Sequence, residues 1–447
     1  MAIDTSKNNV YIEGNDILPE WEADNKTIYK VMTILKSYLE LDNVSFLFGA
    51  GSSINLGSVS IANIPTSIED KIKATTIAGG ASSDLYDEFI SIVKELQDED
   101  PEVRTASKEI KYPLELFLNY LVANEYIADL NPDGVKHKYL NDLIKAIKEQ
   151  LFKLCDLEKL PLPSWLSGEV KDNLIKNKGY YHEKFVKKIL QRPLNLKRAN
   201  IFTTNYDLAF EYAFDKLGVH NISGFSGFQK RTFKPETFEY DIFFPGSTTQ
   251  GKVQKIEKVL KYYKIHGSLT WIKENPSPNN VYGISEVPIE QIRTGGGYEN
   301  IMIYPTTAKK SFTLDFPYSE LFRQFSATIS QSQSTLITYG YSFSDEHIND
   351  IIYQALTIPS FTLVIIDFNG TKGSKEILKL KELNDPRIII IQGEKLGSLP
   401  FFVESLLPDL IEANTYERIA ETLKKVLDKN IASSLATGTS SKTSTTP

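Results

Sequence analysis

Cysteine is nearly absent: 447 residues carry one, Cys155. A single thiol closes no internal disulfide and supplies no four-cysteine zinc site, so neither a disulfide scaffold nor a zinc ribbon is expected. Cys155 itself lies in the apolar-rich stretch Leu151-Phe152-Lys153-Leu154-Cys155 and reads as a small buried hydrophobe. Also missing is any run of 18 or more apolar residues, so no membrane-spanning helix is expected. The opening Met1-Ala2-Ile3-Asp4-Thr5-Ser6-Lys7 has no apolar leader core, and the expected location is the cytoplasm. A strong excess of one charge is lacking too. The formal net charge of −7 creates no general field for a polyanion, so no direct nucleic-acid partner is expected.

What is present is the composition of a globular protein. Hydrophobic residues at 41% and charged residues at 24%, of both signs, are enough to bury a core and keep the surface wet. The length suits one large domain with an insertion, or two domains. Val44-Ser45-Phe46-Leu47-Phe48 is a short apolar run entering a glycine turn, as a buried parallel strand would be. Further strands are expected at 199–204, 259–265, 301–305, 335–340, 362–368 and 387–392, with a helix at 27–41. The last third alternates strand, helix (about Asp345 to Leu356), strand, Lys- and Leu-rich helix, strand. That alternation predicts an α/β fold, a Rossmann-like doubly wound parallel sheet with its strand ends along one edge.

Between 65 and 195 the strand signal gives way to helical spacing. Leu140, Leu143, Ile144, Ile147, Leu151 and Leu154 line one helical face, and 113–129 and 180–191 behave alike. The expected organisation is a sheet domain over 1–64 and 196–430, an inserted all-helical module over 65–195, placed over the cleft, and a tail over 431–447. Residues 222–258 and 273–300 read as long loops or short irregular strands, and Ser433 to Pro447 as a Ser/Thr-rich tail with too few apolar residues to order itself. No internal repeat is evident.

Four polar stretches close apolar runs of strand length. Gly49-Ala50-Gly51-Ser52 lets backbone amides approach a phosphate, though a turn that needs glycine for its geometry would look the same and the third glycine of a dinucleotide fingerprint is missing. Thr203-Thr204-Asn205-Tyr206-Asp207 is either a helix cap or a polar site, with more polar positions than a cap requires. His266, between a strand and Gly267, is either structural or a proton acceptor near neutrality. Gly340-Tyr341-Ser342-Phe343 offers donors and hydroxyls at a strand-to-helix turn. Asp367 closes a further strand, as a ribose ligand or as a turn aspartate before Asn369-Gly370. His347 reads as a capping or packing residue, and His137, His182 and His220 have no company that suggests a site.

Taken in order, Gly-Ala-Gly-Ser, Thr-Asn-Tyr-Asp, Ile-His-Gly-Ser, Gly-Tyr-Ser-Phe and Ile-Asp-Phe-Asn resemble the sirtuin series over about residues 40 to 400. The order is most similar to the sirtuin-like domains of prokaryotic antiviral defence, in which Thr-Asn-Tyr-Asp stands where ordinary sirtuins have Gln-Asn-Ile-Asp. The resemblance implies NAD as substrate and no metal. It implies that Gly49, Ala50, Gly51 and Ser52 hold the pyrophosphate, with Thr204 also among the binding residues. Asn205 and Asp207 would hold the nicotinamide ribose and the attacking water, His266 would take the proton, and Ser342 and Asp367 would face the adenosine. Ordinary sirtuins also carry paired zinc cysteines and act on acylated lysine, and the single cysteine here speaks against protein deacylation.

The function so implied is an NAD hydrolase, an NAD+ glycohydrolase that releases nicotinamide and ADP-ribose and depletes NAD in defence. A non-catalytic sensor of NAD or ADP-ribose, or an assembly subunit of a defence complex, is the alternative. The resemblance further implies a homo-oligomer and a gating partner, a HerA-type ATPase or another defence subunit.

Overall fold

A computed structural model of the chain describes residues 2–58 and 135–410, less 229, 245–253, 296, 299–300 and 304–315, with 87, 90, 91 and 94 as isolated positions. The helix expected at 113–129, most of the insertion before 135, the end of the strand expected at 301–305 and the C-terminal tail lie outside the described residues.

Among the described residues, nine strands form the main sheet: β1 (Asn8–Ile12), β2 (Asn15–Asp16), β3 (Asn43–Phe48), β4 (Asn200–Thr203), β5 (His220–Ile222), β6 (Val259–Lys264), β7 (Ser334–Tyr339), β8 (Thr362–Asp367) and β9 (Ile388–Gly393). They lie in the order β2-β1-β9-β8-β7-β3-β4-β6-β5. All pairs from β9 to β5 are parallel, and β1 runs antiparallel to β9 and β2. The run β6-β4-β3-β7-β8-β9 is the doubly wound order in which the chain steps outward from β3 to one side, returns, and steps outward to the other. The order therefore reverses between β3 and β7. Register aligns the strand ends there, with Phe48 beside both Thr203 and Tyr339, and Thr203 beside Lys264.

The apolar runs are continuous because both faces of the sheet are covered. Side chains alternate: Phe46, Phe48, Ile201, Tyr262 and Ile337 join a core with the helices Thr27–Leu39, Tyr180–Ile189 and Ala209–Leu217. Leu47, Phe202, Tyr263 and Leu336 join the opposite core with Tyr318–Ile329, Glu346–Leu356 and Lys375–Glu382. Phe185 sets its ring edge-on to Phe46 and Phe48, at 5.0 and 4.9 Å between centroids. The helix Tyr180–Ile189, which falls within the span expected as an insertion, thus serves as the sheet's own crossover from β3 to β4. Further helices stand before it at Val135–Cys155 and Gly168–Lys176.

Parts of 222–258 and 273–300 build a second, antiparallel sheet from Phe225–Ser226, Arg231–Phe233, Ile284–Glu286, Gly267–Lys273 and Ile301–Ile303. Its longest strand begins one residue after His266, so the histidine sits at the joint of the two sheets. A helix, Ile289–Gly295, also lies in this region, where loops or short irregular strands were expected. Among the described residues no helix is long and apolar enough to cross a membrane.

The reversal point is closed by contact between two turns. Gly340 has φ +58°, and a Cβ there would stand 2.7 Å from Gly51 Cα. Gly340→Ala combines left-handed strain with overpacking, and the expected loss is about 2–4 kcal/mol of unfolding free energy, measured by urea denaturation.

Candidate functional site

The turn after β3 spends most of its amides on the protein. Gly49 and Gly51 N–H donate to the Tyr339 and Gly340 carbonyls, each at 3.0 Å, while Ser52 and Ser53 N–H donate to Gly49 and Ala50. A Cβ on Gly49 would lie 2.5 Å from the Gly340 oxygen, so the glycines are required first by the neighbouring turn. Among the described residues, the Ala50 N–H has no protein acceptor. It is the amide of this turn that remains for a ligand, beside the buried Ser52, whose hydroxyl donates to the Gly49 carbonyl at 2.8 Å.

Asn205 joins this turn from β4. Its Nδ2 donates to Ser52 Oγ at 3.0 Å and to Ser53 Oγ at 3.3 Å, and its own N–H donates to Thr203 Oγ1. Thr204 continues the strand ladder by donating its N–H to Phe48 O and leaves its side chain half-buried. Asp207 is buried and accepts the Ala209 N–H at 3.0 Å, a turn bond just ahead of the helix Ala209–Leu217 that occupies one of its carboxylate oxygens. The residue that holds this turn in place is Lys264, 3% exposed, at the end of β6. Its ammonium donates to the carbonyls of Tyr206 and Asp207 and to Glu211 Oε1. Burial raises the Glu211 carboxyl above its usual range, and Lys264 pulls the other way.

His266 stands at the next strand end, half-buried, before Gly267 at φ +99°. Its Nε2 lies 2.8 Å from Asp345 Oδ2, whose side chain is 2% exposed. The distance is that of an ion pair, but the ring N–H is not aligned for a hydrogen bond. Asp345 also caps the helix Glu346–Leu356, accepting the His347 N–H through Oδ1. A lone Asp before a helix looks like a cap in the sequence, and so its second contact gave no signal there.

The structure gathers Gly49 to Ser52, Thr204, Asn205 and His266 at one sheet edge and places Ser342 exposed on the turn after β7, its hydroxyl donating to Ser344 Oγ. Asp367 is set apart, on the second strand from β3. Its Oδ1 accepts the N–H groups of Asn369 and Gly370, the bonding of a turn aspartate, and burial raises its carboxyl above the usual range. Beneath the site, Cys155 keeps a partly accessible surface, yet packing around the sulfur pushes its thiol up to about 12 and keeps it protonated. His182, 2% exposed and edge-on to Phe210, has no hydrogen-bond partner on either ring nitrogen among the described residues. Among the described residues, no group of three or more His, Cys, Asp or Glu side chains is placed to hold a metal ion.

Residues 199–383 match the model of the SIR2-like domain, which supports a sirtuin-like family for this chain. The match contains Asn205, His266, Asp345 and Asp367 and begins after β3. SIR2-like domains are NAD-dependent enzymes. No curated protein matches the chain.

Lys264→Met leaves two carbonyls and Glu211 without their cation, and should cost ~3–5 kcal/mol in denaturant unfolding at neutral pH. The loss should shrink on acidification, because the folded state binds the Glu211 proton more readily than the unfolded chain. His182 behaves oppositely: burial lowers it from 6.5 to about 4, so the unfolded chain is protonated first as pH falls. Its contribution is full above pH 6.5 and is lost down to about 4, by about 3 kcal/mol. His182→Leu should remove that part of the acid-side slope.

Proposed function

We propose that this chain hydrolyses NAD at the bond between nicotinamide and ribose, releasing nicotinamide and ADP-ribose. One observation carries the reading: Asn205 and His266 stand on the edge where the strand order reverses, the amide tied to the glycine turn and the imidazole backed by Asp345. The SIR2-like match over the same residues supports it. The Ala50 N–H and the exposed Ser342 hydroxyl fit a ligand that carries phosphates and ribose hydroxyls.

The chemistry asks little of acids. Nicotinamide leaves with the electron pair of the broken bond as a neutral base, and positive charge builds on the ribose. Asn205 donates to the two serines through its nitrogen and keeps its carbonyl oxygen, the negative end of a dipole, for that charge. A water oxygen then bonds to the ribose carbon and its proton passes to His266, a step worth roughly 10²–10⁴ in rate. Asp207 acts beneath the turn, where its bond to the Ala209 N–H and the Lys264 contacts to Tyr206 and Asp207 hold the segment that follows Asn205. In this reading the activity depletes NAD in the cytoplasm as a prokaryotic antiviral effector. It works as a homo-oligomer, held quiet by a partner such as a HerA-type ATPase or another defence subunit.

Chromatography of NAD incubated with the purified chain, without acylated peptide, tests this. Nicotinamide and ADP-ribose should accumulate, and Asn205→Ala or His266→Ala should each slow turnover by about 10² or more with the fold retained. Saturable NAD binding that stays without product under every partner tried would replace the hydrolase with a sensor. Turnover that required an acylated peptide would replace it with a deacylase.

A further inference from the structure

We propose that Asp345 is the positioning carboxylate of His266, holding the proton on Nε2 and leaving Nδ1 as the nitrogen that accepts a proton from the cleft. Two lone pairs 2.8 Å apart repel, and here the carboxylate is 2% exposed, with little water to soften the repulsion. A proton on Nε2 turns that contact into an attraction. In a neutral ring the lone pair then belongs to Nδ1, since the partner of one nitrogen decides the state of the other. Nε2 is buried within a side chain that is 13% exposed as a whole. The misalignment of the Nε2–H is of the kind that tightens when a ligand fills a catalytic site.

Asp345 has a second task, and the two can be separated. Its Oδ1 caps the helix Glu346–Leu356, and asparagine caps about as well as aspartate. Asp345→Asn therefore keeps the helix start and removes the charge behind His266, whereas Asp345→Ala removes both.

The test uses the full chain labelled with ¹⁵N-histidine, the His266→Gln spectrum identifying the His266 signals. Wild type should show His266 with its proton on Nε2. Asp345→Asn should shift the ring nitrogens toward a mixture of the two neutral forms at an unchanged thermal midpoint. The kinetic arm rests on the NAD reading: kcat should fall about 10- to 100-fold with KM little changed. A proton on Nδ1 in wild type, or ring shifts and kcat unmoved in Asp345→Asn, would overturn the assignment. If Asp345→Asn fails to fold, the wild-type ring alone decides. The expected ring state in a protein that never turns over NAD would sustain the pair and remove the hydrolase.

Discussion

Everything at the candidate site depends on two turns touching without side chains between them. Gly51 donates to the Gly340 carbonyl, and neither residue has room for a Cβ against the other. This contact sets the spacing of β3 and β7 where the strand order reverses, and Asn205 is bonded to the same turn from β4. Three strand ends are thus fixed to one another before any ligand arrives. Groups held in place beforehand bind a ligand with less loss of freedom, because they were already ordered in folding.

Below the turns the charges are arranged to hold their places. Lys264 satisfies two backbone carbonyls and the half-buried Glu211 carboxylate with its three donors, which ties the Asn205 to Asp207 segment to β6 and to the helix that follows it. Asp345 joins the helix after β7 to the histidine after β6 in a similar way. His182 and Cys155, by contrast, are kept neutral by burial. The two buried charged groups with partners act as fasteners.

Legibility in the sequence followed burial. β3, β7 and β8 could be read because strands covered on both faces become unbroken apolar runs ending at Gly49, Gly340 and Asp367. β1 could not: Asn8-Asn9-Val10-Tyr11-Ile12 begins with polar residues, and its pairing with β9 comes from the far end of the chain. The strands of two and three residues in the second sheet are too short to show a period. The polar stretches at strand ends lie on one edge of the sheet, which carries both Asn205 and His266. What each residue does there needed three dimensions. Gly49 and Gly51 look alike whether a phosphate or a neighbouring turn takes the missing Cβ's space, and an aspartate at a helix start does not disclose a second partner from another strand.

The two margins of the main sheet carry a consequence for assembly. β2 has two residues and β5 has three, so neither border offers a long row of unpaired amides and carbonyls. Strand addition from another molecule needs such a row. Along these described borders of the main sheet, another chain would therefore find few backbone groups to pair with.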